Sequence, residues 1–333
     1  MTPDKYCILD KGKLNLAYPV ILAPLAGISA LPFRLINRKA GCICAFAEMV
    51  HARSLSYNNI KTRELLRTVP SDQPLGVQLL GNEPYYLEKA LEQLEGYDYD
   101  ILDFNAACPE RKVVVKGEGA ALLKDLHLFR QLLEVLVQRA AVPVTVKIRL
   151  GWDSAGQACD IARAAEDAGV AAVFVHGRTR AQGYSGKVNY KAIAGIKKSL
   201  RIPVIASGDI FNASLAQKML EETGADALLV ARGAFGNPWI FREIYALLNK
   251  EPLPQRPEIN EIADVMKEHF HLCGDYYGRG RSAVRFRIFF VWYTRGVPGI
   301  KALRSKVMHA ADEQSMLECI EEFREKGQGG KNP

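Results

Sequence analysis

Long apolar runs, paired cysteines and, over one long stretch, acidic residues are what this chain of 333 residues lacks. No apolar run approaches the roughly 18 residues that a membrane-spanning helix takes. The start, Met1-Thr-Pro-Asp-Lys-Tyr6, has no long apolar region of the kind a secretory signal carries. A cytoplasmic protein with no membrane partner is the expectation. The seven cysteines (Cys7, Cys42, Cys44, Cys108, Cys159, Cys273, Cys319) are odd in number and scattered, and none forms a C-x-x-C pair. That spacing excludes a disulfide framework and gives no zinc site. Cys42-x-Cys44 at a strand start reads as buried structure. His269-x-His271 on a helical stretch points its imidazoles to different faces, so no metal is expected. Low-complexity blocks and short-period repeats are missing as well.

The missing acids are the most local of these absences. From Arg279 to Lys306 the chain carries eight Lys or Arg (Arg279, Arg281, Arg285, Arg287, Arg295, Lys301, Arg304, Lys306) and no Asp or Glu, within a net charge of +7. Phe286, Phe289, Phe290, Trp292 and Tyr293 are interleaved with them. Cations attract phosphate and aromatic rings offer stacking surface, the pairing of an RNA-binding face. The competing reading is a helix with a solvated basic side and an aromatic core stripe.

What the chain does have is a repeated pattern. Eight short β-type runs, Val20–Ala23, Ile43–Glu48, Leu75–Leu80, Ile101–Asn105, Pro143–Ile148, Ala171–His176, Pro203–Ser207 and Asp226–Ala231, alternate with helical stretches. Each ends in residues able to do chemistry: Pro24, Glu48, Gln78, Asn105 with Cys108, Lys147, His176, Ser207-Gly208-Asp209 and Arg232. The class is α/β, and the architecture expected is a (β/α)8 TIM barrel, whose active site is built from the C-terminal ends of its strands. Such a barrel takes about 250 residues, leaving room for an appendage. The barrel is expected over 1–248. A linker with three prolines follows over 249–258. Apolar residues then recur at helical spacing over Ile262–Tyr277, Ala283–Tyr293 and Ser315–Lys326, giving an all-helical domain over 259–326 and a polar, flexible tail over 327–333.

The last two strands each run into a Gly-containing loop, at Ser207-Gly208-Asp209 and Ala231-Arg232-Gly233. In barrels the loops after strands 7 and 8 often bind phosphate through backbone N–H groups. Arg232 adds a charge-assisted contact. Lys147 ends a buried strand, where an ammonium is costly without an anionic or electron-rich partner; a Schiff-base lysine is the rival chemistry. Gln78 offers donor and acceptor together. Arg149, His176 and Arg178 add donors from strands 5 and 6. Cys108 in Asn105-Ala-Ala-Cys108-Pro109, followed by the Gly-rich Lys116-Gly-Glu-Gly-Ala120, is placed in a mobile loop suited to acid–base work.

At these residues the chain resembles the tRNA-dihydrouridine synthase family, in its bacterial B-type branch. The motifs are Ala23-Pro-Leu-Ala-Gly-Ile28 with Pro32-Phe-Arg34, Glu48-Met49, Val77-Gln78-Leu79, Asn105-x-x-Cys108-Pro109, Val146-Lys-Ile-Arg149, Val175-His-Gly-Arg-Thr-Arg180, Gly208-Asp209, Gly236-Asn-Pro-Trp-Ile-Phe241 and Trp292-Tyr293 with Gly296. The resemblance implies an FMN-containing barrel joined to a helical RNA-binding domain, reducing the uracil C5=C6 bond in tRNA with NADPH as reductant. It implies that Pro24, Leu25, Ala26, Gln78, Lys147, His176, Ser207, Gly208, Asp209, Ala231 and Arg232 hold FMN. Cys108 is then the proton donor to C5, with hydride from flavin N5 to C6. Asn105, Arg149 and Arg178 contact the uracil or flank the flavin, and Arg285 and Arg287 contact RNA. The target base must leave its stack to reach such a pocket. A monomer without DNA contacts is expected.

The family pattern is departed from in four places. Ala106-Ala107 stands where Met-Gly is usual, Ser207 where Asn is usual, Ala231 where Gly is usual, and Arg287-Ile288-Phe289 where Arg-Lys-His is common. They motivate an alternative, flavin-dependent modification of a ribosomal RNA uridine by reduction or another reaction at uracil C5. An RNA-binding protein without turnover and a free pyrimidine dehydrogenase are the further options.

Overall fold

The computed structural model describes residues 19–326, the backbone of a two-strand hairpin at Leu9–Asp10 and Lys13–Leu14, and the last helix through Gln328. Cys7 and the remainder of the expected tail lie outside the described residues. Eight parallel strands follow in chain order: β1 Val20–Leu22, β2 Cys44–Phe46, β3 Leu75–Leu80, β4 Ile101–Ala106, β5 Val144–Arg149, β6 Ala172–His176, β7 Val204–Ser207 and β8 Ala227–Val230. Each pairs with the next, and β8 pairs back to β1 through Leu228 opposite Val20, which closes the barrel. A ninth short strand, Val50–His51, prolongs the second position by pairing Leu79 and Leu80. All eight expected runs are strands, with ends displaced by a residue or two.

Helices α1 Leu31–Lys39, α2 Ala52–Ser56, α3 Pro84–Leu94, α4 Leu126–Arg139, α5 Ala158–Asp167, α6 Tyr190–Ser199, α7 Ala213–Thr223 and α8 Ile240–Leu248 connect the strands. Local chemistry starts them. Asp125, Asn189 and Asn212 each accept the N–H three residues on, at 3.0, 2.9 and 2.8 Å, satisfying donors that a first helical turn leaves open.

The period of two along each strand sorts side chains into two apolar regions. One fills the bore: Ile21, Ala23, Cys44, Phe46, Ile101, Ala172, Phe174, Ile205, Ala227 and Leu229. Phe46 and Phe174 meet edge to face, ring centroids 5.5 Å apart. Phe46 occupies space left by Gly76, where a Cβ would lie 2.1 Å from its ring. The second region joins the outer strand faces to the helices and continues into the C-terminal layer. With the bore closed by apolar side chains, the polar strand residues are confined to its C-terminal mouth.

After α8 the chain has no regular element until α9 Ile259–Tyr277; α10 Arg279–Tyr293, α11 Lys301–Val307 and α12 Glu313–Gln328 complete a helical layer. Helix α11, seven residues long with only Leu303 and Val307 buried, lies outside the helical stretches expected from sequence. This layer packs on the barrel through aromatic rings: Phe289 stacks on Phe33 at 5.8 Å, and Trp292 on Phe235 at 4.0 Å. The expectation that the aromatics of the acid-free stretch offer stacking surface is corrected here. Phe286, Phe289, Phe290 and Tyr293 are buried, because a helix lying on a barrel turns its apolar face inward. The aromatic core stripe is what forms.

Candidate active site

A cavity of about 440 Å³ opens at the C-terminal mouth of the barrel, within the range typical of cofactor sites. Pro24, Leu25, Ala26, Gln78, Asn105, Cys108, Lys147, Arg149, His176, Ser207, Gly208, Asp209, Ala231 and Arg232 all line it. The structure thus brings together fourteen of the expected site residues. Arg178, Arg285 and Arg287 are not on its wall.

The floor is a directed chain of hydrogen bonds. Thr145 Oγ1 donates to Asp103 Oδ1 at 2.7 Å, and Gln78 Nε2 donates to Asp103 Oδ2 at 2.6 Å. Asn105 Nδ2 donates to Gln78 Oε1 at 2.7 Å and contacts Met49 Sδ at 3.1 Å. Asn105 Oδ1 in turn accepts the backbone N–H of Ala107 at 3.0 Å and of Cys108 at 2.9 Å. The carboxylate can only accept when ionised, so it sets the orientation of both amides up to the Cys108 backbone. Asp103 and Thr145 were missed from sequence. The signal was available, since each lies two residues before an expected site residue on its strand and so shares its face. Tyr184, also missed, is an exposed ring of the rim loop with the guanidinium groups of Arg149 and Arg232 at 5.5 and 5.0 Å from its centroid.

The arginines do different work from that expected of contacts to a base. Arg149 is buried and donates to three carbonyls, of Ala107 at 2.8 Å, Thr179 at 2.9 Å and Gly183 at 2.7 Å. Arg178 donates to both oxygens of Asp209 and to the Ser185 and Gly186 carbonyls. Arg232 Nη2 reaches the same Asp209 at 2.7 Å. Arg287 donates to the Ala310 carbonyl at 2.8 and 3.1 Å, within the helical layer. Arg285 is exposed, 5.4 Å over the Tyr277 ring.

The Cys108 loop is held at several points. Ala120 N donates to Cys108 O at 3.0 Å, and Glu118 meets His51 Nε2 at 2.8 Å. Asn82 donates to the Lys116 carbonyl at 2.8 Å. Ala107 is not among the positive-φ residues of the described chain, so alanine fits where glycine is usual.

Electrostatics divide the mouth. Burial raises the Cys108 thiol above its ordinary value, against the pull of the Glu110 amide, so the thiol keeps its proton at neutral pH. Lys147 is lowered to about 8 by burial and by Arg149, and makes no hydrogen bond among the described residues. His176 is pulled down to about 2 by burial and the surrounding cations, and stays neutral. Burial also raises Asp103 to about 6 and lowers His269, paired with the Tyr293 hydroxyl at 3.1 Å, to about 3.

These values carry a stability prediction. A histidine neutral when folded takes a proton only on unfolding below its ordinary 6.5, so the stability that His176 and His269 contribute is full above that pH and is lost as pH falls. Asp103 acts the other way between its ordinary 3.8 and about 6. Glu48 and Asp100, also raised by burial, act in the same sense as Asp103, so the histidine part shows as a difference between the wild type and His269→Phe. Denaturant midpoints measured from pH 6.5 downward should fall more steeply for the wild type than for His269→Phe; equal slopes contradict the neutral burial of the His269 ring.

With this geometry in place, comparison with known proteins separates the chemistries the barrel could host. The family model described as Dihydrouridine synthase (Dus) matches residues 21–327. The chain belongs to this family. It is 38% identical over 314 residues to tRNA-dihydrouridine synthase B of Pseudomonas aeruginosa, covering 94% of each chain. It is 37% identical over 316 residues to a probable tRNA-dihydrouridine synthase of Rickettsia conorii, covering 94% of this chain and 95% of that one. Among solved structures it is similar to the 6-hydroxypseudooxynicotine amine oxidase HisD of Pseudomonas geniculata N1, with a TM-score of 0.53 at 15% identity over 75% of this chain and 50% of that one. That likeness concerns the fold alone. Among the described residues no helix is long and apolar enough to cross a membrane.

Proposed function

We propose that this dihydrouridine synthase, a cytoplasmic monomer, reduces the C5=C6 bond of a uridine in tRNA to 5,6-dihydrouridine with bound FMN and with NADPH as reductant. The observation that carries the reading is one cavity holding a protonated thiol, Cys108, on a wall shared with an ammonium that lacks a hydrogen-bond partner, Lys147. The names of the relatives support tRNA as the RNA; the ribosomal RNA reading has no observation of its own.

The residues present fit FMN. Lys147 is a cation in want of an electron-rich partner, and Gln78, on the same cavity wall, donates one of its two amide N–H groups to Asp103. Pro24, Leu25 and Ala26 form an apolar wall. At the other end, Ser207, Gly208, Ala231 and Arg232 suit a phosphate, since the first N–H groups of the turn Arg232–Ala234 have no intrahelical acceptor, while the Asp209 carboxylate is held by Arg178 and Arg232 and aligns them. Gly233 keeps this end close-packed, as a Cβ there would lie 2.0 Å from the Ile210 carbonyl oxygen. FMN, if bound there, would supply the hydride chemistry.

The protein's own part is positioning and proton supply. The Cys108 S–H gives its proton to uracil C5, completing the addition of one hydride and one proton across the double bond. Asn105 and Arg149 act on the reaction through the loop, by holding the Ala107 and Cys108 amides and the Ala107 carbonyl. Neutral His176 offers a ring nitrogen to base or flavin, and Arg178 holds Asp209.

Dihydrouridine mapped separately in tRNA and ribosomal RNA, from cells with and without the gene, tests the reading. A site lost from tRNA is expected. Intact tRNA with a change in ribosomal RNA transfers the assignment to the second reading, and a colourless folded protein removes the flavin. For the helical layer, Arg285→Ala is expected to lower the salt slope of tRNA binding by about 0.7–0.9, one phosphate's worth. Arg287→Ala, which strands the Ala310 carbonyl, is expected to lower the melting temperature instead. Equal slopes for wild type and Arg285→Ala would show that Arg285 is merely solvated.

A further inference from the structure

The helical layer has cations to offer RNA but few open rings, since its aromatics are spent on docking. Open rings occur elsewhere. Tyr57 is 67% exposed and Tyr85 62% exposed, and both adjoin Tyr86, with ring centroids 6.1 and 5.3 Å from its ring. The Arg53 guanidinium lies 4.9 Å over the Tyr86 ring, and the Tyr57 and Tyr86 hydroxyls are 3.3 Å apart. Single exposed tyrosines are ordinary, but two flanking the half-buried Tyr86 with a stacked arginine have the composition of a binding hot spot.

The place of the cluster is informative. Tyr85 and Tyr86 belong to the first turn of α3, directly after β3, so they stand at the C-terminal mouth of the barrel. Arg53 lies in α2, two residues after His51. His51 and Asn82 are the residues that bind Glu118 and the Lys116 carbonyl of the Cys108 loop. On its other side the segment reaches the helical layer, where Tyr276 donates to the Glu64 carbonyl at 2.6 Å. Arg67 lies 4.8 Å over the Tyr276 ring, next to the Tyr277 ring that carries Arg285. The band therefore runs from the Cys108 loop to the acid-free stretch.

Its charge is mostly positive. Between positions 52 and 67 stand Arg53, Lys61, Arg63 and Arg67 against Glu64 alone, and Arg111, Lys112 and Lys116 face no acid between 111 and 117. Exposed Glu83, at the start of α3, is the acid nearest Arg53 and the rings, and exposed Glu110 lies at the margin. Rings framed by cations suit unpaired nucleotides, whose bases stack on aromatic faces while their phosphates meet the cations.

We propose that Tyr57, Tyr85 and Tyr86, with Arg53, form a stacking platform for unpaired nucleotides of the RNA substrate close to the target uridine. The inference rests on the RNA-modifying function proposed above and extends the RNA surface from the helical layer across the barrel rim.

The test is titration of the full chain with a tRNA transcript and with a fully paired RNA duplex, over a salt series. Tyr85→Ser/Tyr86→Ser should weaken tRNA binding about tenfold or more, the loss of a stacked base, with the salt slope unchanged. Duplex binding should stay at the wild-type value, and Tyr85→Phe/Tyr86→Phe should keep tRNA affinity because the rings remain. Tyr57→Ser, at an exposed position, gives an independent reading of the same effect. Wild-type tRNA affinity in both serine variants overturns the platform and leaves the RNA function standing, with the rings free for a protein partner. An equal loss on duplex also overturns it. A wild-type chain that binds neither RNA removes the RNA function and the platform together.

Discussion

Cys108→Ala is expected to lower dihydrouridine formation by about 10²–10⁴-fold, the contribution of a positioned general acid, while FMN and tRNA stay bound. The expectation follows from how the thiol is held. Its backbone N–H is taken by Asn105, its carbonyl accepts the Ala120 N–H, and the preceding carbonyl is clamped by Arg149. Alanine satisfies each of these backbone contacts equally well, so the variant loses the proton donor and little else. Burial keeps the thiol protonated in the range where the enzyme works. Single-turnover oxidation of reduced enzyme by saturating tRNA isolates the chemical step. Wild-type rates in that experiment would end the proton-donor assignment.

Gly236→Val is expected to destabilise the protein by roughly 3 kcal/mol or more, from forbidden backbone and overpacking combined. Gly236 has φ +67°, a left-handed conformation that β-branched residues avoid. A Cβ there would lie 2.3 Å from the Trp292 carbonyl carbon and 2.4 Å from its oxygen. These are backbone atoms of α10, so relief means pushing the helical layer off the barrel and separating the Trp292–Phe235 stack. A melting temperature lower by about 4 °C or more is expected, with faster proteolysis over 249–258 and weaker tRNA binding. A melting curve matching the wild type would show that α10 is not seated through this glycine.

The barrel was legible because a closed parallel sheet leaves a simple trace. Strands buried on both faces read as short apolar runs, and the last inward position of each, as at Gln78, Asn105, Lys147, His176 and Ser207, breaks that run with a polar residue. The family motifs gather at the same strand ends. α11 was illegible because a helix of two turns buries too few residues to show a period. Asp103 was passed over as an interior strand residue, and it was recognisable only by counting back two from Asn105.

Sequence by itself determined the strand count, the family and the set of residues gathered at the barrel mouth, because strand periodicity and parallel topology dictate which side chains share a face. Tertiary structure decided which of those groups were already spent on one another. Asn105, Arg149 and Arg178 satisfy loop backbone and Asp209, while Lys147 keeps a cation facing the cavity. It also decided that the aromatics of α10 are interior and that Tyr57 and Tyr85, far less conspicuous in the chain, stand open at the mouth beside half-buried Tyr86. The physical reason is that satisfaction of a donor and burial of a ring depend on partners distant in sequence, and residue type alone does not name them.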